Sequence, residues 1–196
     1  MTEGLETALR CLRDDARTGR LDLWAHSTAV DEIVGAPIID RTLFDRLHET
    51  AGIDAEFPIG NAGVIHVYGY CFSDVLTPYG YKRDRWNDGV LAQALGLRAS
   101  AFRLGDSPDE TPLQRVTDAA LPILQRPPAD AVAVLDVPVG DVRTRAVVTA
   151  AGALCYGLDA GDGMRLVTLF PVADPHAFAR EAASEPPRLR WNAALP

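Results

Sequence analysis

Lysine is nearly missing from this chain: of the 19 basic residues among 196, all but Lys82 are arginine. The basic side is also outweighed, since 27 Asp and Glu give a formal net charge of −8 and a pI near 4.9. A surface of that sign argues against neutralising a phosphate backbone, so no nucleic-acid partner is expected. The same charge disfavours an anionic membrane. Cysteine is sparse as well. Cys11, Cys71 and Cys155 lie far apart and form no CxxC, which argues against a disulfide framework or a zinc knuckle and suits a reducing compartment. No apolar run approaches the roughly 18 residues of a membrane span. The opening Met1-Thr2-Glu3-Gly4 lacks the basic and apolar parts of a signal peptide. These absences predict a soluble, cytoplasmic protein with no membrane association.

The familiar catalytic signatures are missing too. There is no P-loop, no GxGxxG following a strand, no GxSxG elbow and no HExxH. His26, His48, His66 and His176 show no metal-ligand spacing, and the turn Asp159–Gly163 lacks the twelve-residue pattern of a calcium loop. The expectation is therefore no metal and no cofactor, and any chemistry must come from side chains scattered along the chain.

What is present describes one α+β domain over residues 1–196. A 47% hydrophobic and 23% charged composition is ordinary for a globular chain, and at this length about 70% of the unfolded surface is buried. Leu5, Ala8, Leu9, Leu12 and Ala16 predict a helix from Thr2 to about Thr18 with one apolar stripe, ended by Gly19. A short strand is predicted over residues 21–25 and a brief helix over 28–34. Asp40 caps a better-marked helix that Gly52 ends. Residues 63–73, GVIHVYGYCFS, are β-branched and aromatic with period-two order and predict a strand. A short helix follows over 88–95. Thr111-Pro112-Leu113-Gln114 opens the strongest helix signal, with Pro122 inside it and Pro127-Pro128 closing it. Four strands are then predicted at 131–137, 143–150, 153–158 and 164–172, joined by turns too short for parallel crossovers, so the sheet is mainly antiparallel and ends in a C-terminal hairpin. A last helix starts at Asp174-Pro175.

The unusual stretch is 64–86, VIHVYGYCFSDVLTPYGYKRDRW, which holds four of the five tyrosines and the sole lysine. On a strand, His66, Tyr68, Tyr70 and Phe72 face one way, and Ile65, Val67 and Cys71 the other. The first set mixes aromatic bulk with titratable heads, as the wall of a small-molecule cavity does. His66 is the candidate base or acid there, and Tyr68 and Tyr70 the candidate donors to an oxygen that gains charge. The loop that follows offers Tyr81, Lys82, Arg83, Arg85 and Trp86 to grip a planar anion, by bidentate guanidinium contact and stacking. Arginines also recur in RxR pairs: Arg83/Arg85, Arg143/Arg145 and Arg188/Arg190. Arg143 and Arg145 share one face of a predicted strand and complete the candidate anion anchors.

The function that fits is a cofactor-independent enzyme, whether lyase, isomerase, cyclase or hydrolase, that handles a small anionic or aromatic metabolite by acid–base catalysis; a homodimer is left open. The alternative is an acidic binding module, an immunity or adaptor protein masking a basic surface without catalysis, which draws on the charge of −8 and the missing signatures.

Overall fold

The computed structural model describes residues 2–195. Its first helix, α1 (Thr2–Arg17), buries Ala8, Leu9 and Leu12. A 3-10 turn over Arg20–Leu23 leads into β1 (His26–Thr28). The second helix, α2 (Arg41–Ala51), starts where Asp40 accepts from the Leu43 N–H at 2.8 Å and stops at Gly52 in the left-handed region. β2 (Ile59–Asn61) pairs antiparallel with β1, whose other edge takes β9 (Ala193–Ala194) from the far end of the chain. Residues 64–72 are helical, first as a π-turn (Val64–Tyr68) and then as 3-10 (Gly69–Phe72). A minimal hairpin, β3 (Leu76–Thr77) and β4 (Gly80–Tyr81), precedes the short helices α3 (Asp84–Asn87) and α4 (Val90–Ala94).

α5 (Pro112–Gln125) begins as the capping signal requires, with Thr111 Oγ1 accepting from the Gln114 N–H at 3.0 Å. Then come β5 (Ala133–Val139), β6 (Val142–Val148), β7 (Ala153–Asp159) and β8 (Met164–Pro171), an antiparallel meander in chain order. α6 (Pro175–Ser184) is capped by Asp174, which accepts from Ala177 N at 2.9 Å.

The meander separates two apolar layers. On one face Val147, Cys155, Leu166 and Leu169 join the main core with α1, α2, α5 and residues 64–70. On the other, Ala146, Val148, Leu154, Tyr156 and Val167 pack against Phe170, Phe178 and Trp191 under α6 and the C-terminal segment. The architecture is thus α+β, with early helices and an antiparallel sheet. Among the described residues, no helix is long and apolar enough to cross a membrane.

Three local expectations fail, all before residue 90. Arg20–Leu23 form a 3-10 turn where a strand was expected over residues 21–25, although Trp24 and Ala25 do meet β8 at Leu166. Residues 28–34 are the end of β1 and a turn organised by Asp31, which accepts from the N–H groups of Ile33 and Val34 at 3.0 and 2.9 Å. The 63–73 segment is a helix and belongs to no sheet. Val64 through Tyr68 are all buried, so the segment has no polar face for its alternation to report. Position 63 also sits so close to Trp24 and Leu113 that a Cβ there would approach both to 2.9 Å. Tertiary contacts override the β-propensity of Val64, Ile65 and Val67.

Candidate functional site

Asn61 starts the helix that carries the site. Its Oδ1 accepts from Val64 N at 3.1 Å while its Nδ2 donates to the Leu21 carbonyl at 2.9 Å. Residues 64–68 then wind as a π-turn in which the Gly69 N–H reaches the Val64 and Ile65 carbonyls. On such a segment positions four apart share a face and positions two apart do not. The His66 and Tyr70 rings accordingly meet edge to face, centroids 4.7 Å apart. Tyr68 turns the other way and donates to Asp15. The expected wall of His66, Tyr68 and Tyr70 is therefore corrected: two of the three converge, and the third faces away.

Around His66 the donors and acceptors can be counted. Ser27 Oγ, on β1, lies 2.9 Å from His66 Nε2 and 2.9 Å from the Asn192 carbonyl oxygen. A carbonyl only accepts, so the single Ser27 proton goes to Asn192. Nε2 must then carry a proton and donate it to Ser27 Oγ. Nδ1 is left as a bare lone pair, buried and without a hydrogen-bond partner. Burial, reinforced by the positive charges of Lys82 and Arg85, holds the imidazole neutral with its pKa pulled down to about 3. Ser27 is consequently not an activated nucleophile, because its neighbour gives it a proton and takes none.

Tyr70 has the complementary vacancy. Asn192 Oδ1 accepts from Glu32 N at 3.3 Å, which turns its Nδ2 to donate to the Tyr70 hydroxyl at 3.0 Å. The phenol oxygen accepts there, and its own proton is given to no acceptor among the described residues. Burial raises the Tyr70 pKa, so the proton stays on. Asn192 and Trp191 both sit in the left-handed region, φ 67° and 53°. Trp191 is held there by Tyr156, Phe170 and Phe178 at 4.7, 5.8 and 6.0 Å.

The cluster is completed by charge. Lys82 Nζ pairs with Asp31 at 2.6 Å, both side chains buried, and lies 5.5 Å from the Tyr70 ring centroid. Burial would raise the Asp31 pKa, but Lys82 and the backbone N–H groups of Val34 and Ile33 outweigh it and hold the carboxyl below its ordinary range. Arg85 is half-buried between the rings of Tyr79 and Phe170, 5.5 and 6.0 Å from their centroids. Its side chain forms no ion pair and no hydrogen bond among the described residues.

The remaining candidates go elsewhere. Arg83 pairs with Asp74 at 2.5 Å and Asp84 at 3.5 Å and stacks on Tyr81, all toward solvent. Trp86 is core, edge to face with Phe102 at 5.6 Å. Arg143 and Arg145 both close on Asp136 across the β5–β6 ladder, at 2.5 and 2.7 Å. Arg145 also donates to the Leu124 carbonyl of α5, which places the pair on the sheet face opposite Phe170. These four corrections share one cause: each side chain already has a partner from its own neighbourhood. Ser27, Asp31 and Asn192 carried no motif. The one usable signal was Lys82 itself, since a sole lysine that folds inward needs a carboxylate.

The surface clefts lie away from this cluster. The larger, of about 420 Å³, runs between α1 and residues 105–114. His66 is only 2% exposed, and Tyr79, 69% exposed on the β3–β4 hairpin, covers Arg85. No family model matches the chain, and no curated protein or solved structure is similar to it.

Proposed function

We propose that the His66–Tyr70 cluster is the active site of an acid–base enzyme acting on a small anionic metabolite. The observation that carries the reading is the lone pair of His66 Nδ1, buried beside an unused Tyr70 proton. Leaving a buried acceptor unmet costs about 1–3 kcal/mol, and unmet groups of this kind gather at functional sites. His66 Nδ1 takes a proton from the substrate, and the Tyr70 O–H supports the oxygen that gains the electron pair. Returning the proton to a different atom completes a lyase, isomerase or cyclase step; in a hydrolysis Nδ1 instead takes the proton from a water whose oxygen bonds to the substrate, and hands it to the leaving group as the scissile bond breaks.

The low basicity of His66 suits an anionic substrate. Burial, and after it the charges of Lys82 and Arg85, hold the imidazole neutral in the closed protein. A negative charge arriving at Arg85 offsets them and raises the proton affinity of Nδ1 only once substrate is bound. Entry requires the β3–β4 hairpin to lift; its strands pair only at Leu76↔Tyr81 and Thr77↔Gly80, with the Thr77 hydroxyl donating to the Gly80 carbonyl and Arg83 pairing with Asp74 at its base.

A panel of small carboxylic acids and phosphate esters incubated with the full chain in deuterated water tests this. At least one compound is expected to exchange a C–H for deuterium or to be converted. Tyr70→Phe keeps the ring and removes the proton, and should slow that change at least about a hundredfold while the fold survives. No compound altered by the wild type, or equal rates in the variant, would overturn the assignment.

A further inference from the structure

We infer that the ligand of this site is a small hydroxy acid: a carboxylate for Arg85 with a hydroxyl on a neighbouring carbon that donates to His66 Nδ1. The inference rests on the acid–base reading and adds the substrate class. It follows from what each group at the site still lacks. Ser27 and Asp31 are matched by their neighbours and by backbone, Asn192 accepts from Glu32 N and donates to Tyr70, and Lys82 gives one of its three ammonium protons to Asp31. Beyond the spare Lys82 donors, three capacities are left over. Nδ1 needs a donor, because the Ser27–Asn192 contact fixes the other ring nitrogen as the N–H. The Tyr70 hydroxyl needs an acceptor. Arg85, always charged, needs an anion.

A plain carboxylate satisfies Arg85 and Tyr70 and leaves Nδ1 bare. A plain alcohol meets Nδ1 and leaves the guanidinium without a counter-charge. A hydroxy acid meets all three at once. Arg85 meets the rings of Tyr79 and Phe170 but no carboxylate, so its guanidinium N–H groups remain available to the two oxygens of a carboxylate. The His66 and Tyr70 rings are in edge-to-face contact, centroids 4.7 Å apart, so one small molecule carrying both a donor and an acceptor can serve the two side chains.

The test is a titration of the full chain, labelled with ¹⁵N at histidine, using matched probes: glycolate against acetate, and inorganic phosphate beside them. Glycolate is expected to shift the His66 Nδ1 resonance in a saturable way and to bind at least about tenfold more tightly than acetate, the worth of one buried hydrogen bond. Arg85→Gln should abolish the glycolate shift with thermal unfolding little changed, since Arg85 has no ion pair to lose and only its contacts with the Tyr79 and Phe170 rings. Equal binding of acetate and glycolate at Arg85 would overturn the hydroxyl assignment while leaving an anion site. Phosphate binding in preference to glycolate would overturn the carboxylate. No response of His66 to any probe would overturn the hydroxy-acid class; the deuterium-exchange experiment on the wider panel then decides separately whether the site is catalytic at all.

Discussion

Two polar clusters lie on opposite sides of the helix at residues 64–72, and they are built to different standards. On one side Asp15, fully buried, takes hydrogen bonds from Tyr68 and, at 2.5 Å, from Thr111, with Arg20 3.5 Å away. Every group there has its partner, and the cluster ties α1 to the start of α5. On the other side His66, Tyr70 and Arg85 each keep unused capacity, although Ser27 and Asp31 are matched, Asn192 meets Glu32 and Tyr70, and Lys82 is paired with Asp31. The fold thus satisfies one buried network and leaves unmet hydrogen-bonding and charge capacity in the other.

The clusters also titrate with opposite signs, which gives the largest effect. His66 is neutral in the fold down to about pH 3, whereas an unfolded histidine binds its proton near 6.5. The unfolded state therefore holds more protons in that window, and stability should fall by about 1.4 kcal/mol for each unit of acidification. Asp15 works the other way, because burial raises its pKa. Its folded form keeps a proton that the unfolded chain releases, so its contribution is lost as pH rises above the ordinary aspartate value. Urea unfolding between pH 7 and 4 should show stability lost toward acid in the wild type and a flatter profile in His66→Gln. A profile unchanged by that substitution would break the contrast.

Cutting the closed cluster comes next. Asp15→Ala strands the Tyr68 and Thr111 hydroxyls without an acceptor and should cost about 3 kcal/mol in urea unfolding at pH 7. The smallest effect separates the two tyrosines. Tyr68→Phe takes a donor from a buried carboxylate and should cost about 2 kcal/mol, whereas Tyr70→Phe loses only the Asn192 contact and should cost about 1 kcal/mol or less. If Tyr70→Phe proves the more damaging of the pair, its hydroxyl is structural.

Much of the chain was legible because its signals are local. Thr111-Pro112, Asp174-Pro175 and Asp40 each cap a helix where the residue type says they should. The short turns after β5, β6 and β7 left antiparallel neighbours as the only geometry. At residues 21–34 and 63–73 the signals misled. The alternation in VIHVYGY imitates a strand, yet every side chain from Val64 to Tyr68 is buried, and a segment enclosed on all sides carries no period. Of the candidate site, His66, Tyr70, Lys82 and Arg85 were visible as unusual residues within one stretch. Arg83, Trp86, Arg143 and Arg145 were equally visible, and nothing local distinguished them.

The amino-acid sequence by itself determined the acidic balance, the capped helices, the antiparallel meander and the singular lysine, because each depends on composition or on residues a few positions apart. Only the tertiary structure decided which polar groups find partners. Ser27 meets His66 across 39 positions and Asn192 meets Tyr70 across 122. Whether a buried nitrogen is satisfied or left open depends on such long-range contacts, which no local pattern encodes.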